Sequence, residues 1–121
     1  MKLELENDMT IAEVKQSFNQ TYPNLKIEFY SMPHGTFEGS DGNLKLADDI
    51  PIKQIAKPNH PAALLFTNGN TVSQIEQMLR NSFGLNTQIF RKAGNIWLQT
   101  IATDDWTLKQ QNEKSQEYNV D

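Results

Sequence analysis

The chain has 121 residues, 37% hydrophobic and 21% charged, with a formal net charge of −4 and no cysteine. That length suits one domain with a real core. The acidic balance excludes a nucleic-acid binder driven by phosphate contacts, and the missing Cys excludes disulfides, thiolate metal sites and a Cys nucleophile. No apolar run approaches the ~20 residues of a membrane helix, and the alternating N-terminus does not read as a signal peptide. A soluble, cytoplasmic α+β domain without nucleic-acid or membrane partners is expected.

Residues 2–6 alternate Leu3 and Leu5 with Glu4 and Glu6, the period of a half-buried strand. Thr10 and Glu13 then form a capping box, and Ile11, Val14, Phe18 and Tyr22 make one apolar helical stripe ended by Pro23. A strand returns with Leu25, Ile27 and Phe29. Residues 32–43, with three of the six glycines, read as a loop, and residues 43–46 as a further strand. Around residues 49–55 a short helical turn is expected, capped by Asp49 with Pro51 early in it. The proline-containing stretch 57–61 is a linker.

The order of parts then recurs. Residues 63–67 read as a strand and Thr71 with Gln74 as a second capping box. Val72, Ile75, Leu79 and Phe83 give a second stripe, which Gly84 ends. Residues 86–92 and 96–100, joined by Ala93, Gly94 and Asn95, read as a hairpin. Sliding the chain by 61 positions lays Leu3 on Leu64, Val14 on Ile75, Phe18 on Leu79 and Phe29 on Phe90. A 56-residue slide lays Asp48, Asp49, Lys53 and Gln54 on Asp104, Asp105, Lys109 and Gln110. The expectation is two tandem pseudo-symmetric βαββ units, about 1–57 and 62–112, sharing one core in a single α+β domain, 1–112. About six strands would form a mostly continuous sheet, or a two-sheet variant, with two amphipathic helices on one face. Residues 113–121 read as a polar, frayed tail.

The chemistry-bearing residues are sparse. The glycine-rich loop lacks the G-x-x-x-x-G-K-[ST] phosphate pattern and carries Glu38 and Asp41 instead. His34, Glu38 and Asp41 are metal-ligand types, but in a flexible loop they read as solvated residues. His60 reads as a turn residue. The two Asp pairs read as turn caps, because both copies hold them. No catalytic set, cofactor or metal site is expected.

Residues 83–100, FGLNTQIFRKAGNIWLQT, followed by DDWTL at 104–108, resemble a family of small uncharacterised bacterial proteins, as do residues 27–35. The resemblance implies no activity and no site. The paired units are also loosely similar to the vicinal-oxygen-chelate fold, which implies metal ligands on the strands; the strands predicted here carry no His. Any active surface should come from what differs between the copies. That points to His34 and Phe37 in the long loop, Arg91 and Lys92 in the hairpin, and Trp97 and Trp106. The function expected is a non-catalytic binding or adaptor module with a protein partner. The alternative is a small-molecule site or enzyme cleft between the halves, lined by Tyr22, Tyr30, Phe37 and Trp106.

Overall fold

The computed structural model describes residues 1–34 and 39–118; Phe37 and Glu38 lie outside them. Among the described residues the chain is α+β, with five strands in two antiparallel sheets and four helices. β1 (Lys2–Glu4) pairs with β3 (Ala63–Leu65), Leu3 opposite Leu64. β2 (Leu25–Tyr30), β4 (Asn86–Ala93) and β5 (Ile96–Gln99) form the second sheet in the order β2-β4-β5. The helices are α1 (Ile11–Thr21), α2 (Ile52–Ile55), α3 (Val72–Phe83) and α4 (Leu108–Tyr118).

The capping boxes form as their sequences require. Thr10 Oγ1 accepts from Glu13 N at 3.3 Å while Thr10 N donates to Glu13 Oε1 at 3.2 Å. At Thr71 and Gln74 the same two bonds measure 3.1 and 3.0 Å. A helix start leaves its first amides without intrahelical partners, and here a later segment satisfies the rest. Ile11 N donates to Ile50 O and Ala12 N to Asp48 O; Val72 N donates to Trp106 O and Ser73 N to Asp104 O. The return bonds run from Ile52 N to Met9 O and Lys53 N to Asn7 O, and from Leu108 N to Asn70 O and Lys109 N to Asn68 O. Every one of these bonds has its counterpart at offsets of 61 and 56.

The stripes Ile11, Val14, Phe18 and Val72, Ile75, Leu79, Phe83 are buried with Leu3, Leu5, Leu25, Ile27, Phe29 and Ile89 in one core.

Several sequence expectations are corrected. Among the described residues the sheets are two, as in the two-sheet variant and not the continuous sheet, and they hold five strands where about six were expected. Residues 43–46 are not a strand. The Asp41 carboxylate caps Asn43 N at 2.9 Å and turns Gly42–Leu44 into a 3-10 helix, leaving one bridge from Lys45 to Tyr30. Asp49 does not cap α2, whose N-cap is Pro51 without a side-chain bond. The polar end is helical as far as Tyr118, started by a third capping box, Thr107 with Gln110. Its buried positions, Leu108, Gln111 and Ser115, are mostly polar, so no apolar stripe marks it.

Phe90 is not a second Phe29. One residue, Gly84, follows α3 where Pro23 and Asn24 precede Leu25, so the alternation of β4 is displaced. Ile89 pairs with Ile27 in the core, and half-buried Phe90 pairs with Lys26 on the other face, its ring 5.0 Å from the ammonium. Phe29→Ala should therefore cost about 3–5 kcal/mol, and Phe90→Ala clearly less, by urea unfolding. Gly84 has φ +70°, and a Cβ there would stand 3.2 Å from Lys57 Cβ. Gly84→Ala should destabilise by about 1–2 kcal/mol or more, while Gly42→Ala, with nothing within 4 Å, should be near neutral in the same assay.

Candidate functional site

β4 outruns its partner β5. Thr100 continues the pairing through its N–H and its hydroxyl, both bonded to Ile89 O, at 3.2 and 2.8 Å. Beyond it, among the described residues, no strand lines the outer edge of β4, and buried backbone groups left unbonded are costly. Side chains fill the gap. Glu76 Oε2, from α3, accepts from Ile89 N at 2.9 Å, and His34 Nε2 contacts Thr87 O at 2.9 Å. A carbonyl opposite Nε2 requires the proton on that nitrogen. The His34 segment is held in turn by Arg80 Nη2, which donates to His34 O at 2.8 Å. Ser40 exchanges two bonds with the Gln99 amide, at 2.9 and 3.0 Å, and its hydroxyl reaches Gln88 Oε1 at 3.3 Å.

Glu76 is 3% exposed. Its Oε1 lies 3.5 Å from His34 Nε2 and has no hydrogen-bond partner among the described residues. Burial pushes its carboxyl up to about 7; the His34 contact opposes that and the Asp104 charge adds to it. Tyr30 is raised to about 12, by burial first and then by the charges of Glu28 and Glu76.

The position 61 residues before Glu76 is Lys15, which meets Glu28 at 2.6 Å and Asp48 at 2.8 Å. Burial works against the Lys15 ammonium, but bonds to Asp48 and Glu28 outweigh it and hold its pKa above the ordinary value. Lys26 and Lys45 stand 3.6 and 3.7 Å from the same Glu28.

The residues singled out from sequence fall in three places. His34 is buried against β4 rather than solvated in a loop. Arg91 and Trp106 come together, the guanidinium carbon 5.7 Å from the ring, with Arg91 Nη1 donating to Gln111 Oε1 at 2.8 Å. Trp97 and Lys92 are cross-strand partners, with the Lys26 ammonium 5.2 Å over the Trp97 ring. Phe37 lies outside the described residues. Trp106 is half-buried, as is Ile50, its match at the 56-residue offset. Glu76, Gln88 and Lys15 were not anticipated. The available signal was Glu76 itself, a carboxylate one residue after Ile75 on the buried side of α3.

Among the described residues no group of three or more His, Asp or Glu is arranged to hold a metal ion, and no helix is long and apolar enough to cross a membrane. A cavity of about 230 Å³ opens between β2 and the end of α3, lined by Phe29, Tyr30, Leu46, Ile55, Leu85 and Asn86.

No family model matches the chain, and no curated protein or solved structure matches it either.

Glu76 ties stability to pH. Its folded pKa, about 7, stands above the ordinary 4.5, so the folded state holds a proton that the unfolded chain releases. The contribution is complete below about pH 4.5 and is lost as pH rises through 7, on the order of 3 kcal/mol in all. Urea unfolding between pH 4.5 and 8.5 should show wild type losing stability relative to Glu76→Gln by that order.

Proposed function

We propose that the chain is a non-catalytic binding module that holds a protein partner on the free end of its β4–β5 hairpin. The observation that carries this is a short exposed apolar strip on one face of β5: Ile96 is 59% exposed and Leu98 38%. Apolar side chains gathered at one sheet edge mark interaction surfaces better than scattered ones do. The acid and imidazole of Glu76 and His34 are spent on the β4 backbone, away from solvent, which supports binding over acid–base chemistry.

We further propose that the chain is a tandem duplication. The paired bonds at offsets of 61 and 56, the Leu3–Leu64 pairing and the two equivalent capping boxes support it. On that reading the hairpin is what the second unit adds: the first unit has a 3-10 helix and one bridge where β5 would lie.

A small-molecule site is the second reading, favoured by the 230 Å³ cavity. That volume falls below the ~300–1,000 Å³ of usual ligand pockets, which places it behind the strip.

A photo-crosslinking residue at position 98, compared with one at exposed Leu65, tests the binding reading in the host. A discrete crosslinked protein from 98 alone is expected; identical patterns from both positions would sink it. A metabolite raising the melting temperature of wild type but not of a cavity-filled Leu85→Phe variant would transfer the function to the cavity.

A further inference from the structure

The hairpin surface has a charge and a geometry that together define its partner. From residue 77 to residue 103 the sequence contains Arg80, Arg91 and Lys92 and no Asp or Glu. This is a basic stretch in a chain of net charge −4. The carboxylates that bracket it, Glu76 and Asp104, are buried, so neither contributes an exposed negative group. Among the described residues neither Arg91 nor Lys92 lies within ion-pair distance of a carboxylate. Lys26, which also stands 3.6 Å from buried Glu28, adds a third cation beside Trp97.

The edge geometry follows from the register. Ala93 and Ile96 flank a two-residue turn, with Gly94 at φ +62°, the position where such hairpins favour glycine. They form a bonded pair, and bonded pairs alternate along an antiparallel ladder, so Arg91 with Leu98 is the next. Lys92 with Trp97 and Phe90 with Gln99 are the non-bonded pairs. The bond from Lys92 N to Asn24 O, pointing away from β5, agrees. The N–H and C=O groups of Trp97 and Gln99 therefore point outward. Among the described residues no strand pairs with that edge.

We propose that β5 receives an extended acidic segment of a partner protein as a fourth strand of the β2-β4-β5 sheet. This inference rests on the binding reading above and specifies its mode and partner chemistry. Main-chain bonds to Trp97 and Gln99 set the strand in place. Apolar side chains at alternate positions cover Ile96 and Leu98, and acidic ones meet Lys92 and Lys26. Pairing with a second copy is disfavoured, because antiparallel β5–β5 contact would bring two basic hairpins together.

The test uses the full chain, isotope-labelled, with blocked peptides alternating Val with Glu or Val with Lys. The Val/Glu peptide should shift the Trp97 and Gln99 amide signals saturably and slow their hydrogen exchange. The Val/Lys peptide should bind about tenfold more weakly, and a Val/Glu peptide N-methylated at alternate residues should not bind. Lys92→Glu should reverse the charge preference, with circular dichroism and the urea midpoint confirming that it folds. Leu98→Glu should weaken both peptides. Unmoved Trp97 and Gln99 amides, an equal response to both charges, or concentration-dependent self-association through β5 would each overturn the proposal. If crosslinks from position 98 persist while these amides stay unmoved, binding survives and strand addition fails. Loss of both removes the binding reading itself.

Discussion

The first amides of α1 and α3 have to be bonded before either helix can be buried, and the way they are bonded organises the chain. A Thr side chain supplies one acceptor. Two carbonyls from a later segment supply two more: Asp48 and Ile50 for α1, Asp104 and Trp106 for α3. A helix start satisfied this way fixes a distant stretch of backbone, not only its own first turn. It places α2 beside α1 and the start of α4 beside α3. The Asp pairs matter here through their main chain: Asp49 and Asp105 are exposed, and the carbonyls preceding them do the docking.

The same requirement, that buried backbone groups be bonded, explains the polar residues in the interior. Along β4 the ladder to β5 ends at Ile89, and the next outward-facing groups are met by Glu76 and His34. Both lie in low-dielectric surroundings, where a lone carboxylate is costly. The carboxyl responds by binding its proton more tightly, with its pKa near 7. Along β2 the comparable edge is met by backbone, through Leu46 N to Phe29 O and Ser31 N to Leu44 O. There the buried acid, Glu28, is met by the Lys15 ammonium at 2.6 Å. One fold problem thus has two solutions, an ion pair in the first half and a partly neutralised acid in the second.

Much of this was legible where the pattern is local. The capping boxes at Thr10 and Thr71, both amphipathic helices, Pro23 and Gly84 as terminators and the turn at Gly94 all follow from short-range rules. The recurrence at offsets 61 and 56 was visible too, but not that the repeated Asp-containing segments meet the helix starts. What was hidden depends on long-range pairing. Nothing local says that β1 leaves β2 to pair with β3; the Asp41 cap that turns an expected strand into a 3-10 helix is the exception, a local bond to Asn43 N two residues on. The helix α4 was missed because Gln111 and Ser115 are buried by hydrogen bonding, Gln111 to Thr103 and Arg91, Ser115 to Lys92 O; a hydrophobicity count sees only a polar tail. His34 read as a loop residue because its partners, Thr87 and Glu76, are more than forty positions away.

The burial of Glu76 and Asp104 also shapes the outside. Had either acid been exposed, it would have offset the cations of the hairpin. Instead Glu76 faces inward to bond Ile89, and Asp104 is buried at the start of α3, where its carbonyl holds Ser73. Arg91 is turned toward Gln111 and Trp106, which anchors α4 against β4 and keeps that part of the surface filled. Lys92 and Lys26 are left on the opposite face, flanking Trp97. The basic, apolar edge of β5 is therefore a consequence of how the interior was satisfied: the acids went inside to close the β4 ladder and to hold α3, and the surface above them kept its positive charge.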